Sequence, residues 1–228
     1  MDPYGCDRAA AAFCAVAADT RGGVISDLAL ADVNVSGSGG MISAFTSVTT
    51  PIVGVNNDDT SIPSLSTVTI TEAFVVAAPS FIDLEISVTN SGGVTEYFAT
   101  KNVANLLNQA ASGFTIQLGI GTGANFALAT AANAPGLDFD APSFTPAPFS
   151  ATFSSINTTA NQISLSGGVL QTGQANATDV TFSIDVPDNL PNGMFTIRES
   201  LTAVPEPSAL ALLGLPSLAF LRRRRRRA

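Results

Sequence analysis

Apolar and polar residues alternate strictly through much of the middle of the chain. In Ile82-Asp83-Leu84-Glu85-Ile86-Ser87-Val88-Thr89 every second side chain is apolar. Phe114-Thr115-Ile116-Gln117-Leu118, Val180-Thr181-Phe182-Ser183-Ile184-Asp185-Val186 and Phe195-Thr196-Ile197-Arg198 repeat the pattern. Successive side chains of a strand point to opposite faces, so this period buries one set and leaves the other in water. Half-buried antiparallel strands are the predicted element. Less regular strands are expected over 24–30, 42–48, 52–55, 68–76, 96–100, 126–130, 151–153 and 163–170. Turn chemistry separates them, at Asn56-Asn57-Asp58-Asp59, Asn90-Ser91-Gly92-Gly93, Ser166-Gly167-Gly168 and Asn192-Gly193. Residues 103–110 carry a faint helical spacing and predict a short crossover helix. Pro135, Pro142, Pro146 and Pro148 predict a long surface loop over 134–148. Many short strands at this spacing predict an all-β domain over 22–201, an antiparallel β-sandwich of Ig-like or jelly-roll-like kind.

Composition narrows the chemistry. The 228 residues include no His and no Trp, and only 12 % are charged. Without His there is no Ser-His-Asp or Cys-His nucleophile system and no His-ligated metal. A formal net charge of -8 argues against a nucleic-acid partner, which needs Lys and Arg against phosphate. Low charge with 19 Gly and 13 Pro suits a turn-rich secreted β protein. Cys6 and Cys14 both lie near the start, so no disulfide framework spans the domain. Residues 1–21 read either as an atypical secretory signal or as a disordered N-terminus. Ala15-Val16-Ala17 has the small-residue pattern of a cleavage site, whereas Asp2 and Asp7 oppose the positive flank that a signal needs.

Candidate chemistry in the body is sparse. Asp83 and Glu85 share one face of a strand, and the expectation is an ordinary solvated face, not an acid–base pair. Asp58 and Asp59, and Asp138 and Asp140 around Phe139, are oxygen-rich loop positions that calcium would accept as ligands in an extracellular setting. No other cofactor is expected. Gly119-Ile120-Gly121-Thr122-Gly123 reads as a turn, because no helix opens after it to receive a phosphate.

The last 27 residues, 202–228, change character. Pro205-Glu206-Pro207 is followed by an uncharged, largely apolar stretch from Ser208 to Leu221 and then by Arg222, Arg223, Arg224, Arg225, Arg226 and Arg227. The prolines hold an extended, accessible peptide. The apolar stretch predicts a single short C-terminal transmembrane helix, about 21 Å long against a core of about 30 Å. The arginines stay cytoplasmic as a stop signal, which leaves the body outside. Together these three parts resemble the PEP-CTERM protein-sorting domain of bacteria that make extracellular polysaccharide, a tail also labelled an ice-binding-protein C-terminal domain. The resemblance implies an exosortase partner, a membrane transpeptidase-like enzyme, with Pro205, Glu206 and Pro207 as the recognised element. It also implies transient residence in the inner membrane before the cell surface or extracellular matrix.

The functional expectation is an exported, non-enzymatic surface or matrix protein, structural or adhesive in extracellular polymeric substance, with extracellular polysaccharide as a further partner. A carbohydrate-binding module is the alternative, and a secreted hydrolase a more distant one. The tail also divides the charge. Residues 1–204 carry 17 acidic and four basic side chains, and residues 205–228 carry one acidic and six basic. A body released from its tail is therefore more acidic than the whole chain.

Overall fold

The alternating segments become strands of two facing sheets. The computed structural model describes residues 23–31, 40–47, 66–75, 81–90, 93–141, 143–173 and 177–204. The strands are β1 (Val24–Ala31), β2 (Gly40–Ser47), β3 (Thr67–Phe74), β4 (Phe81–Thr89), β5 (Val94–Asn105) and β6 (Ala111–Ile120). They continue with β7 (Ala127–Leu128), β8 (Phe149–Ser150), β9 (Ser155–Thr159), β10 (Gln162–Ser166), β11 (Thr178–Pro187) and β12 (Met194–Ala203). The helical elements among the described residues are two single 3-10 turns, Gly123–Asn125 and Pro191–Gly193.

One sheet has the order β1-β4-β12-β6-β10-β9, with β7 added beside β6, and is antiparallel throughout. The other has the order β2-β3-β5-β11-β8. It departs from the antiparallel expectation at one place, because β3 and β5 pair in parallel. The reason is the path of the chain. Between β3 and β5 the chain crosses to the opposite sheet as β4, and two reversals restore the original direction.

The inward phase of each strand builds one shared core. Ile82, Leu84, Ile86 and Val88 of β4 and Phe114, Ile116 and Leu118 of β6 are buried on one side. Val68, Ile70 and Phe74 of β3 and Val180, Phe182, Ile184 and Val186 of β11 are buried on the other. Phe74 meets Phe114 edge to face across the core, with centroids 6.1 Å apart. The Tyr97 hydroxyl, on β5, accepts the N–H of Ile25, on β1, at 3.0 Å and so ties the two sheets. Burial raises the Tyr97 pKa above its ordinary value, against the smaller opposing effect of that hydrogen bond.

Two sequence expectations are corrected. The helix expected over 103–110 is absent: β5 continues to Asn105, pairing with β3 on one side and β11 on the other. Cross-strand pairing outweighs a faint helical spacing. Asn105 then ends the strand. Its Oδ1 accepts the Leu107 N–H at 3.1 Å, and its Nδ2 donates to the carbonyls of Gln109 and Leu170 at 3.0 and 3.2 Å. The 134–148 segment is irregular as expected, but it is not a surface loop, since Leu137, Phe139 and Asp140 are buried. Phe139 stands edge-on to Phe182 at 5.3 Å, and the Asp138 carbonyl accepts the Asp185 N–H at 2.9 Å. The strand expected over 52–55 and the C-terminal helix lie outside the described residues.

Candidate functional site

Among the described residues, three ionisable groupings sit inside or against the sheets. The first joins β4 to β12. Asp83 and Arg198 are direct cross-strand partners. Arg198 Nε and Nη2 donate to Asp83 Oδ1 and Oδ2 at 2.6 and 2.7 Å. Nη2 also donates to the Gly123 carbonyl at 2.8 Å, and the Gly123 N–H donates to Asp83 Oδ2 at 2.8 Å. The guanidinium carbon lies 4.1 Å from the centre of the Phe81 ring and 4.0 Å from that of Phe126. A planar cation with a bidentate acid and an aromatic ring at each of two contacts is a rigid structural lock. The expected solvated face is therefore corrected: Asp83 is buried and paired, while Glu85 is only half-buried. The glycine-rich stretch forms a turn, as its lack of a following helix predicted, and it serves this lock. A Cβ at Gly119 would lie 2.4 Å from both the Phe126 ring and the Ala127 carbonyl. Gly119→Ala is thus expected to push β7 and Phe126 away, at a cost of about 1–3 kcal/mol. Urea unfolding measures it.

The second grouping is acidic. Glu96 on β5 and Asp185 on β11 face each other in register, and the buried 138–140 segment brings Asp140 to them. One carboxylate oxygen from each lies within 4.8 Å of the others, and all three residues are buried. Like charges opposed on neighbouring strands repel unless a proton or a cation intervenes. Oxygens bound to one calcium at about 2.4 Å lie no more than about 4.8 Å apart, so this donor set fits a hard cation. Asp140 is thereby the one sequence candidate that enters the cluster. Asp138 does not, and its Oδ1 accepts the Ala141 N–H at 2.8 Å. Asp58 and Asp59 lie outside the described residues. Calcium at about a hundredfold excess over its dissociation constant is expected to add about 2.7 kcal/mol of stability. Asp185→Asn should remove most of that gain. An identical unfolding midpoint in calcium and in chelator would show that the cluster holds no cation.

The third grouping lies within the core. Lys101 on β5, Glu72 on β3 and Glu199 on β12 are fully buried, with Lys101 Nζ 3.2 Å from Glu72 Oε2 and 2.5 Å from Glu199 Oε1. Burial opposes the charge on Lys101, but the two carboxyl groups outweigh it and hold its pKa above the ordinary value. Burial, with the nearby Glu72 charge, holds the Glu199 carboxyl well above the usual range, against the opposing pull of Lys101. Sequence reading passed over this group. A signal was present, because Glu72, Lys101 and Glu199 each occupy the inward phase of a strand, where the alternation calls for an apolar residue.

The remaining sequence candidates lie at the C-terminus. Strand β12 ends at Ala203, and the described residues end at Val204, so Pro205, Glu206, Pro207 and Arg222 to Arg227 lie outside them. Residues 203–227 match the family model of the PEP-CTERM protein-sorting motif. The chain carries a PEP-CTERM sorting motif. No curated protein matches the chain, and neither does any solved structure. The PEP-CTERM motif implies recognition by an exosortase and export through the membrane. The motif begins where the last core strand finishes, so the folded body and the sorting signal share almost no residues. No helix among the described residues is long and apolar enough to cross a membrane.

Proposed function

We propose that this chain is an exported bacterial β-sandwich protein that serves a structural or adhesive role at the cell surface or in extracellular polymeric substance. The observation that carries the reading is the PEP-CTERM match at residues 203–227, set directly after the last strand of a two-sheet body. In this reading Ser208 to Leu221 is a short transient membrane helix and Arg222 to Arg227 holds it on the cytoplasmic side. Exosortase cleavage near Pro205-Glu206-Pro207 then releases a body whose core strands are intact.

The body acts by shape and attachment and has no catalytic role. The absence of His from the chain supports this, as does the use of Asp83 in a structural pair and not beside a substrate. The carbohydrate-binding alternative has less support. A sugar platform needs exposed aromatic rings, and Tyr97 is fully buried in the core. Phe149, on the short strand β8, is the large aromatic most open to solvent among the described residues.

The test is to replace Pro205-Glu206-Pro207 with three alanines in the producing cell. The variant should accumulate as a membrane-retained form of higher mass, with none released. If Arg222 to Arg227 were still removed from the variant, the exosortase reading would be wrong.

A further inference from the structure

Lys101 is the only lysine of the chain, and its amine spans the core from one sheet to the other. It rises from β5 beside Glu72 of the adjacent parallel strand β3, and it meets Glu199 of β12 in the opposite sheet. Nζ lies 2.5 Å from Glu199 Oε1. Since the carboxyl C–O bond adds about 1.2 Å, Nζ lies within about 3.7 Å of the Glu199 carbonyl carbon. That is close to the roughly 3–3.5 Å of a near-attack contact.

An ordinary ion pair is a poor account of this site. Nζ meets the acids through Glu72 Oε2 and Glu199 Oε1, which leaves Glu72 Oε1 and Glu199 Oε2 without a donor of good geometry. Charges so far from water carry a desolvation penalty that the two contacts of Nζ repay only where the remaining carboxyl oxygens are hydrogen-bonded as well.

We propose that Lys101 and Glu199 condense into an intramolecular amide, an isopeptide bond that joins the two sheets, with Glu72 as the proton carrier. The step starts from the Lys101 ammonium, the Glu72 carboxylate and the neutral Glu199 acid. Glu72 takes one proton from Nζ, and the freed lone pair attacks Glu199 Cδ. In the tetrahedral intermediate Nζ loses a second proton by way of Glu72, which passes one to the departing hydroxyl. The Nζ–Cδ bond forms, one Cδ–O bond breaks, and one water leaves. Glu72 ends protonated, and nothing is oxidised or reduced. Two features of the site favour the forward direction. Burial keeps Glu199 in its neutral, acylating form. Condensation also replaces a buried charged pair by a neutral amide in a place that water does not reach. The inference is independent of the sorting tail.

The test is a tryptic digest of the purified full chain, unfolded before digestion. Trypsin does not cut after an acylated lysine. The expected result is therefore one species in which residues 22–198 stay uncut at Lys101 and are joined to the peptide that begins at Glu199, lighter than the two parts by one water, about 18 Da. Glu72→Gln should remove the proton carrier and restore cleavage after Lys101, and Lys101→Arg should restore the unlinked mass. Cleavage after Lys101 in the wild-type chain, with separate peptides ending there and starting at Glu199, would overturn the proposal. So would a water loss that maps to any other pair of residues. The wild-type digest decides the matter even if a variant does not fold.

Discussion

Arg198→Ala should unfold this domain about 3–5 kcal/mol more easily, the usual cost of stranding one member of a buried ion pair. Asp83 is fully buried, and its carboxylate accepts the Arg198 fork and the Gly123 backbone N–H. Removing the guanidinium leaves a carboxylate that must either stay charged without a counter-ion or take up a proton. It also opens the space between Phe81 and Phe126, which the cation now fills. At this chain length the midpoint should fall by roughly 10 °C. Arg198→Lys keeps the charge but loses the planar fork, so it should recover little of the loss. A change below about 1 kcal/mol would mean that the pair behaves as an exposed surface bridge.

Phe182→Ala should have a comparable effect, about 3–5 kcal/mol, for a different reason. Phe182 lies on β11, the strand between β5 and β8, and is fully buried. Its truncation leaves a cavity in the core and removes the ring against which Phe139 stands. Phe139 anchors the segment that delivers Asp140 to Glu96 and Asp185. The variant should therefore lose more than global stability: the 134–148 segment should become a site of rapid limited proteolysis, and the calcium effect should weaken. Equal proteolysis of variant and wild type would show that the segment is held by its backbone bonds to Asp185 and Ala160 and not by the ring contact.

The strands with strict alternation were legible because a period of two has one physical meaning when one face is buried. Ile82 to Thr89, Phe114 to Leu118 and Val180 to Val186 all lie inside observed strands. The helix expected at 103–110 failed because local spacing cannot register β3 and β11, which lie on either side of β5. Strand β9 was not foreseen, since its Ser155-Ile156-Asn157-Thr158-Thr159 has little apolar content and is mostly exposed at the sheet edge.

The sites divide in the same way. The sorting motif was legible in the sequence, because Pro205-Glu206-Pro207, the apolar stretch and the arginine run are contiguous, and residues 203–227 match the family model of that motif. Composition alone likewise showed that this sequence supplies no histidine. The folded-body sites needed the fold. Asp83 and Arg198 are 115 positions apart, and Glu96, Asp140 and Asp185 come from three separate segments. The sequence marks Glu72, Lys101 and Glu199 only as charges on the inward phase of their strands. The facing of one sheet on the other decided that they meet, because a contact across the core depends on sheet order and register, which no local pattern encodes.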